Sequence, residues 1–527
     1  MMLRRGASLV STAAAGGCLI TRRSVQRSFP RAASMPAMAS NEDKYLPARA
    51  KIVVNDGEGM QFLPRVKQGQ IVNDGEAVDI TFNDGSAFRF HSFWLRDACR
   101  DDNHLLPSME RNVGASPVVA GIDASVKAQS IEMLSGGRHV KVEWPGSDVV
   151  SVSSFSALVL RAYAPRVAMA LDRECGTWVQ PSESMGPTNA WLDPFDSSIE
   201  PPRAMDPSSL LFLSNRQQDV DRVPFAPYSW VEDNMEEFLQ LITDPGCMII
   251  DGMPEDVACD GSVFSAFAGK YLGGLQKHPL RDTAHWTIST EQSVQISNSS
   301  FSDDEEQLAA SNSYNTKLQL ANHTDQSLYG TPGLFLLFHC AMGEGNNSLV
   351  DGFAAALALR ERRPDLYAVL SQYGANAGRR LSYYKNGIMS FNVSKPVIQT
   401  DANGDPIRIQ YHEMYRTPLQ VPYHDARLYY EALQTWYNMT HSDEFQLHFK
   451  LQKGQMIIMN NWRMMHGRAG LEGKQRIILG GTVTRDAYYS TARLMLQKKY
   501  GLSTCEEVGL PNDLFSVIGG NGLPRAL

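Results

Sequence analysis

Two short polar segments, far apart in the chain, constrain its fold more than any other feature. The first is His323-Thr324-Asp325, and the second is Asn461-Trp462-Arg463 with His466-Gly467-Arg468. Two imidazoles and one carboxylate on one face of a metal leave three coordination positions open, as in non-heme iron(II) oxygenases. Arg476 follows His466 by ten positions and can hold the remote carboxylate of a keto acid through a bidentate contact. We therefore expect a fold that brings these segments together around one metal ion.

Apolar runs beside the polar segments predict the strands that carry them. Gly333–Phe338 follows the first segment, and Met456–Met459 ends at turn residues just before the second. A third run, Ile477–Leu479, starts directly after Arg476, so ligand and arginine are predicted at neighbouring strand ends. A jelly-roll barrel can aim both inward. The predicted fold class is α+β, mainly β, with a double-stranded β-helix (jelly-roll) catalytic domain and a small β-rich N-terminal domain.

A second match to the histidine-x-aspartate pattern occurs at His441-Ser442-Asp443. With 12 histidines in the chain, such a match arises easily by chance. His441 follows Trp436–Thr440 and precedes Asp443-Glu444, a polar setting that predicts a loop. It also lies too near His466 to leave room for the strands that separate the ligands of a triad. We therefore interpret His441 as a solvated loop histidine.

Further segments point to a known family. Phe338-His339-Cys340 and Leu349–Phe353, together with the two polar segments, resemble the γ-butyrobetaine dioxygenase and trimethyllysine dioxygenase family. Its members belong to the carnitine-pathway branch of the taurine-dioxygenase-like superfamily. The likeness covers roughly residues 76–500, and Thr484-Arg485-Asp486 is more similar to the trimethyllysine enzymes.

The resemblance also implies the residues of a site. It makes Arg476 the residue that binds 2-oxoglutarate, and it gives as iron ligands His323, Asp325 and His466. Aromatic faces hold trimethylammonium groups through cation–π attraction, and the resemblance implies Trp286 and Tyr314 for this role. Asn315 and Thr482 stand where family members usually carry tyrosine.

The expected cofactors are Fe(II), 2-oxoglutarate and ascorbate as reductant, and the expected partners are O₂ and a small-molecule substrate. We predict hydroxylation of a quaternary-ammonium amino acid in carnitine biosynthesis, with trimethyllysine favoured. The alternatives are γ-butyrobetaine, a different small-molecule substrate, and a non-catalytic relative of the family. A zinc metallohydrolase is a rival from another class, but Arg476 and the lack of a placed general base argue against it.

The first 40 residues predict an organelle transit peptide. They carry six arginines, are rich in serine and alanine, and contain no acidic residue before Glu42. A mitochondrial address is the simplest interpretation. A chloroplast address is the alternative because the two kinds of transit peptide overlap in composition, and a disordered basic tail is a third interpretation.

Residues 76–165 are predicted to form the small N-terminal domain. Asp79–Phe82 and Ala87–Phe90 alternate apolar and polar residues, and a turn sequence lies between them. The family carries a zinc site in this domain, so the resemblance implies Cys99 and His104 as zinc ligands, with Asp101 and Asp148 close to the other ligand positions. A metal-free domain held by packing is the alternative, since zinc prefers sites richer in thiolate.

Composition and the resemblance together predict the remaining regions. Frequent proline predicts a linker or insertion at residues 171–225. The resemblance implies that residues 226–500 form the dioxygenase domain, which leaves residues 501–527 as a C-terminal tail. The net charge of −8 argues against nucleic acid, and no apolar stretch approaches the length of a membrane span. Seven scattered cysteines suit reduced thiols in an intracellular protein. The sequence does not predict the oligomeric state, and a homodimer is one alternative.

Overall fold

The computed structural model describes residues 64–99, 104, 116–119, 121, 124–145, 151–181, 223–243, 245–256, 260–277, 283–289, 320–381, 389–401, 403–468 and 476–500. The N-terminal elements among them are β1 (Val66–Val72), β2 (Ala77–Phe82), β3 (Ala87–His91), α1 (Ser92–Ala98), β4 (Ser130–Leu134), β5 (His139–Glu143), β6 (Val152–Ser156), α2 (Ala157–Val167), β7 (Met169–Asp172) and β8 (Thr177–Val179). Strands β1, β2, β3, β7 and β8 form one sheet in that order, and β4, β5 and β6 form another.

The alternating residues of β2 explain this part of the structure. Val78, Ile80 and Phe82 are fully buried, while the residues between them are partly exposed. The turn to β3 contains Gly85 with φ of +82°, a conformation that glycine adopts without strain. The predicted strands at Asp79–Phe82 and Ala87–Phe90 are therefore confirmed.

The second part of the chain contains two larger sheets and most of the helices. Its elements are β9 (Phe225–Pro227), α3 (Tyr228–Asp233), α4 (Met235–Thr243), β10 (Cys247–Asp251), α5 (Ser262–Leu272), β11 (Trp286–Ser289), β12 (Leu320–His323), β13 (Phe335–Met342), β14 (Glu344–Asp351), α6 (Gly352–Arg362), α7 (Pro364–Gln372), β15 (Gly374–Leu381), β16 (Met389–Pro396), β17 (Ile398–Thr400), β18 (Pro406–Ile409), α8 (Tyr423–Thr440), β19 (Gln446–Gln452), β20 (Met456–Asn460), β21 (Met464–Arg468), β22 (Ile477–Val483) and α9 (Arg485–Tyr500). A six-stranded sheet has the order β11-β22-β13-β20-β10-β9, and a four-stranded sheet has the order β12-β21-β14-β19.

These two sheets face each other across an apolar interior. Leu336 and Ile457 of the six-stranded sheet share one buried cluster with Leu349 and Leu447 of the four-stranded sheet. The other face of the six-stranded sheet packs against helices α3, α4, α5 and α9. The result is a mixed α/β molecule in which two β layers enclose the side chains between them. Among the described residues, no helix combines the length and apolar character needed to cross a membrane.

Two features of the structure differ from what the sequence alone indicates. Trp230–Ile242 has the spacing of one helix, but α3 and α4 are separated at Asn234, whose side chain donates to the carbonyl of Trp230 at 2.9 Å. The predicted linker 171–225 overlaps β7 and β8, which extend the N-terminal sheet because Ala170 pairs with Phe88 of β3. Residues 1–40 and 501–527, and the predicted linker from residue 182 to 222, lie outside the described residues.

Candidate metal centre

Three side chains from two paired strands meet in the sandwich interior. His323 ends β12 and pairs in register with His466 of β21, and Asp325 lies in the turn after His323. The Asp325 Oδ1 atom is 3.3 Å from His323 Nε2 and 3.8 Å from His466 Nε2. Two ligands at right angles around a metal with bonds of about 2.1 Å lie about 3 Å apart. Small shifts would therefore close the three side chains on a metal, and the described residues contain no other such group of three.

Both imidazoles turn their Nε2 atoms toward Asp325, as a shared metal would require. The His323 Nδ1 atom donates to the carbonyl of Ala321 at 2.7 Å, which fixes the orientation of the ring. Burial lowers the pKa of His466 to about 3, and the neighbouring His323 adds to this effect. His466 is therefore neutral at physiological pH, the form that binds metals.

Backbone contacts hold the turn that carries Asp325. The amide oxygen of Asn461 accepts from the Asp325 N–H at 2.9 Å, and its amide nitrogen donates to the carbonyls of Asp325 at 3.0 Å and Gly333 at 3.2 Å. Asn461 is buried at the turn between β20 and β21. The polar segment before His466 thus contacts the polar segment at His323 directly.

A buried ion pair fixes the strand of His466 to its neighbour. Arg463 donates to both carboxylate oxygens of Asp351, at 3.1 and 2.7 Å, and both side chains are fully buried. Asp351 also caps α6 by accepting from the N–H groups of Phe353 and Ala354. These contacts give a physical role to two segments on which the family resemblance rests.

Arg476 lies on the opposite layer from His466. It directly precedes β22 of the six-stranded sheet, and it donates across the interior to the side chain of Asn347 on β14 at 3.1 Å. β21 and β22 do not pair with each other, because they belong to different sheets. Arg476 is nevertheless buried near the centre, since Asn347 pairs with Arg468, two residues beyond His466.

Trp286 lies one ring away from His466. It pairs with Gly480 of β22, where a Cβ atom would stand 2.4 Å from the indole Nε1. Its indole meets the ring of Phe338 edge to face, with centroids 6.4 Å apart, and Phe338 lies 5.3 Å from the ring of His466. Because Gly480 has no side chain, the indole of Trp286 can occupy this space.

The other predicted positions in the substrate pocket differ. Tyr314 and Asn315 lie outside the described residues. Thr482 is buried, and its hydroxyl accepts from Gln326 at 2.9 Å and donates to Gln276 at 3.2 Å. The predicted substrate pocket is therefore polar at Thr482.

His412 is a neighbour of the centre that sequence spacing does not indicate. Its buried ring lies 4.3 Å from the ring of His323 and 4.3 Å from that of Tyr415, centroid to centroid. The pattern of the segment around it gives no signal, because only the folded chain brings residue 412 next to residue 323.

His441 is not a solvated loop residue, so that interpretation is wrong. Its Nε2 accepts from the N–H of Asn322 at 2.9 Å, its Nδ1 donates to the carbonyl of Tyr437 at 2.7 Å, and its ring stacks on Tyr437. Because α8 continues to Thr440, His441 stands at its C-terminal end beside β12. Burial lowers its pKa, which fits the neutral ring that these two bonds require.

The predicted zinc ligands are only partly described. Cys99 and His104 are both buried, and the Cys99 thiol lies 3.5 Å from the carbonyl of Ser154. Asp101 and Asp148 lie outside the described residues, so the set of four stays a prediction.

Comparison with known proteins identifies the class and then the family. A family model described as taurine catabolism dioxygenase TauD, TfdA family matches residues 215–482, just over half of the chain. A second one, described as gamma-butyrobetaine hydroxylase-like, N-terminal, matches residues 70–165. The protein is thus an enzyme of the dioxygenase class. The chain belongs to the taurine catabolism dioxygenase TauD, TfdA family, and the predicted resemblance is confirmed.

Curated relatives carry two different names. Trimethyllysine dioxygenase of Meyerozyma guilliermondii is 21% identical over 429 residues, which are 80% of this chain and 94% of the relative. Gamma-butyrobetaine dioxygenase of Pseudomonas sp. (strain AK-1) is 25% identical over 427 residues, with the same two coverages of 80% and 94%. Mitochondrial trimethyllysine dioxygenase of Rattus norvegicus is 32% identical over 191 residues, 34% of this chain and 44% of the relative.

Proposed function

We propose that this enzyme is an Fe(II)- and 2-oxoglutarate-dependent hydroxylase of a small quaternary-ammonium amino acid in carnitine biosynthesis. The favoured substrate is trimethyllysine, γ-butyrobetaine is the alternative, and the proposed scaffold is a double-stranded β-helix with a small N-terminal β-rich domain. The observation that carries the proposal is the grouping of His323, Asp325 and His466, with the Nε2 atoms of both imidazoles turned toward the carboxylate. Such a donor set leaves coordination positions open, unlike a four-ligand structural zinc site.

The cofactor supplies the chemistry and the chain supplies the geometry. Iron(II) bound with 2-oxoglutarate and O₂ provides the oxidising power to hydroxylate an unactivated C–H bond, which side chains alone lack. The carbonyl of Ala321 orients the ring of His323, and Asn461 holds the backbone of Asp325. These contacts fix two of the three candidate ligands before a metal arrives.

Arg476 is the proposed anchor of 2-oxoglutarate. Burial lowers its pKa, which means that the charged guanidinium bears a desolvation cost in this interior. A carboxylate offsets such a cost, and an arginine fork can bind one through two parallel hydrogen bonds. Arg468 is the second candidate, because it pairs with Asn347, whose side chain Arg476 contacts.

The proposed substrate fits an aromatic surface close to the centre. The indole of Trp286 stands beside Phe338, which contacts His466, and a cation over an indole gains about 1–2 kcal/mol when desolvated. The names of the relatives support a methylated ammonium substrate, and Thr484-Arg485-Asp486 favours trimethyllysine. By the family resemblance, Tyr314 is proposed as a second aromatic residue that binds the substrate.

The mitochondrion is the proposed location. The arginine-rich and acid-free first 40 residues support it, as does the mitochondrial relative from rat. A fluorescent fusion of residues 1–60 tests this proposal, and a signal in chloroplasts instead would select the alternative address.

Turnover of a substrate panel tests the function. Purified enzyme with Fe(II), ascorbate and 2-oxoglutarate is expected to release succinate and to add one oxygen to trimethyllysine, detected by mass spectrometry. Trp286→Leu should reduce hydroxylation of methylated ammonium compounds far more than the slow succinate release without substrate. Leu494→Ala, on the exposed face of α9, is the control. Succinate release without hydroxylation of either carnitine precursor would reject the substrate proposal and keep the class.

A further inference from the structure

A buried ionic cluster joins the N-terminal elements to the segment behind the candidate metal centre. The Arg416 guanidinium donates to both oxygens of Asp97, at 2.5 and 2.8 Å. It also donates to both oxygens of Glu413, at 3.0 and 2.9 Å. The three side chains are at most 2% exposed. Asp97 comes from α1, 319 positions before Arg416, so the cluster ties together two distant parts of the chain.

Hydroxyl groups complete this cluster. Two carboxylates share the Arg416 guanidinium, and the buried Arg96 beside Asp97 adds a second positive charge that interacts with Asp97. The hydroxyl of Tyr430 donates to Asp97 at 2.5 Å, that of Tyr411 donates to Glu413 at 3.1 Å, and Ser116 donates to Glu413. These bonds offset the cost of burying the two carboxylates. Apolar side chains of similar volume often stabilise a fold as well as a buried ion cluster does, so stability alone is a weak explanation for it.

The cluster is adjacent in sequence to a residue that packs against the candidate metal centre. Glu413 follows His412, whose ring packs on that of His323. Before it, Tyr411 accepts from the N–H of Thr324 at 2.9 Å and donates its own N–H to the Thr324 hydroxyl at 3.0 Å. Thr324 stands between two of the candidate ligands. Any shift of Glu413 is therefore passed to the ligand turn through two hydrogen bonds and one ring contact.

We propose that the Asp97–Arg416–Glu413 cluster is a positioning device for the metal centre. Through it, the N-terminal elements hold Tyr411 and His412 against the turn His323–Asp325, so that the ligands keep their metal-binding geometry. The three charged residues do not touch the metal or the substrate; they act through Tyr411 and His412. This inference rests on the proposed function in one respect, namely that His323, Asp325 and His466 bind a metal.

The variant Asp97→Asn tests the proposal in the full-length protein. Asparagine keeps the shape of the side chain and one acceptor oxygen, so the ionic part of the tie to α1 is lost while Arg416 stays paired with Glu413. The control is Asp79→Asn, which breaks a partly exposed bidentate pair with Arg89 in the N-terminal sheet, at 2.7 and 2.8 Å. Amide hydrogen exchange of the metal-free protein and titration with Mn(II) are measured for both variants.

Asp97→Asn should speed amide exchange at Thr324 and Tyr411, leave amide exchange in β22 unchanged, and weaken Mn(II) binding about three- to tenfold. The control Asp79→Asn should change neither the exchange at Thr324 and Tyr411 nor the Mn(II) affinity. A lower melting temperature with unchanged exchange at Thr324 and Tyr411 and unchanged Mn(II) affinity would overturn the proposal. Should Asp97→Asn fail to fold, Ser116→Ala provides the same two readouts with a milder change. If the wild-type protein binds no Mn(II), the proposed function fails, whereas the exchange data still decide whether the cluster positions the turn.

Discussion

At the scale of single residues, Gln326 shows how firmly the ligand turn is held. Its φ is +58°, a left-handed conformation that side-chain-bearing residues rarely adopt. Its side chain donates to Thr482 and accepts from the N–H of Gly333 at 2.6 Å, so two hydrogen bonds maintain this conformation directly after Asp325. Backbone strain of this kind persists only where the surroundings enforce it, as they do beside functional groups.

Removal of a candidate ligand should abolish turnover and leave the fold in place. His466→Ala deletes one of three donors and thus both metal affinity and geometry. We expect no succinate release above background, with a melting temperature close to that of the wild-type protein; His323→Ala and Asp325→Ala should behave alike. His448→Ala, on the exposed face of β19, serves as control. Normal turnover by His466→Ala would exclude it as a ligand.

Arg476 should govern the affinity for the keto acid. Arg476→Ala removes a charge-assisted bidentate contact, and breaking such a buried pair costs about 2–5 kcal/mol. The KM for 2-oxoglutarate should therefore rise by a factor of about 30 or more, while Arg468→Ala should raise it less. Initial rates of succinate release at varied 2-oxoglutarate give both values. An unchanged KM in Arg476→Ala together with a raised KM in Arg468→Ala would transfer the role to Arg468.

At the scale of secondary-structure elements, the Asp351–Arg463 ion pair holds in place the strand that carries His466. It connects the end of β14 to the start of β21 and caps α6 at the same time. Because both side chains are fully buried, loss of one partner strands the other in a medium of low polarity.

The variant Asp351→Asn tests the ionic contribution of this pair separately from the helix cap. Asparagine still offers an oxygen to the first N–H groups of α6, so the cap survives while the charge pairing with Arg463 is lost. We expect the free energy of unfolding in urea to fall by about 3–5 kcal/mol. Asp365→Asn breaks an exposed pair with Arg363 and should lower the free energy of unfolding far less. Equal effects of the two variants would contradict the role assigned to Asp351.

At the scale of the whole molecule, the sequence predicts features that depend on local patterns, and it does not predict contacts between residues that are distant in the chain. Apolar alternation and turn residues were enough for strands β2, β3, β13 and β20, and ligand chemistry was enough to group His323 with His466. Neither pattern tells which of the two sheets a strand joins, so the sequence did not predict that Arg476 and His466 lie on opposite layers. His412 and Arg416 were missed for the same reason, since their partners are distant in sequence.

His91 offers a test of how the N-terminal sheet and helix α8 depend on each other. At the end of β3, its ring stacks on that of Tyr423, with centroids 3.5 Å apart, and its Nε2 donates to the Tyr423 carbonyl at 3.0 Å. Burial lowers the pKa of His91 to about 4, against 6.5 in its ordinary state. Between these values the unfolded chain binds more protons, so this contribution to stability is complete above pH 6.5 and is lost as the pH falls toward 4.

His91→Gln keeps a donor for the Tyr423 carbonyl but removes the titrating ring. Between pH 7 and pH 5, the wild-type protein should lose about 2 kcal/mol more unfolding free energy than the variant, because each pKa unit corresponds to about 1.4 kcal/mol. Urea unfolding at the two pH values gives the difference, in which the other titrating groups cancel. His448→Gln, at an exposed position, should follow the wild-type pH dependence. If His91→Gln follows it as well, protonation of His91 does not loosen the junction between β3 and α8.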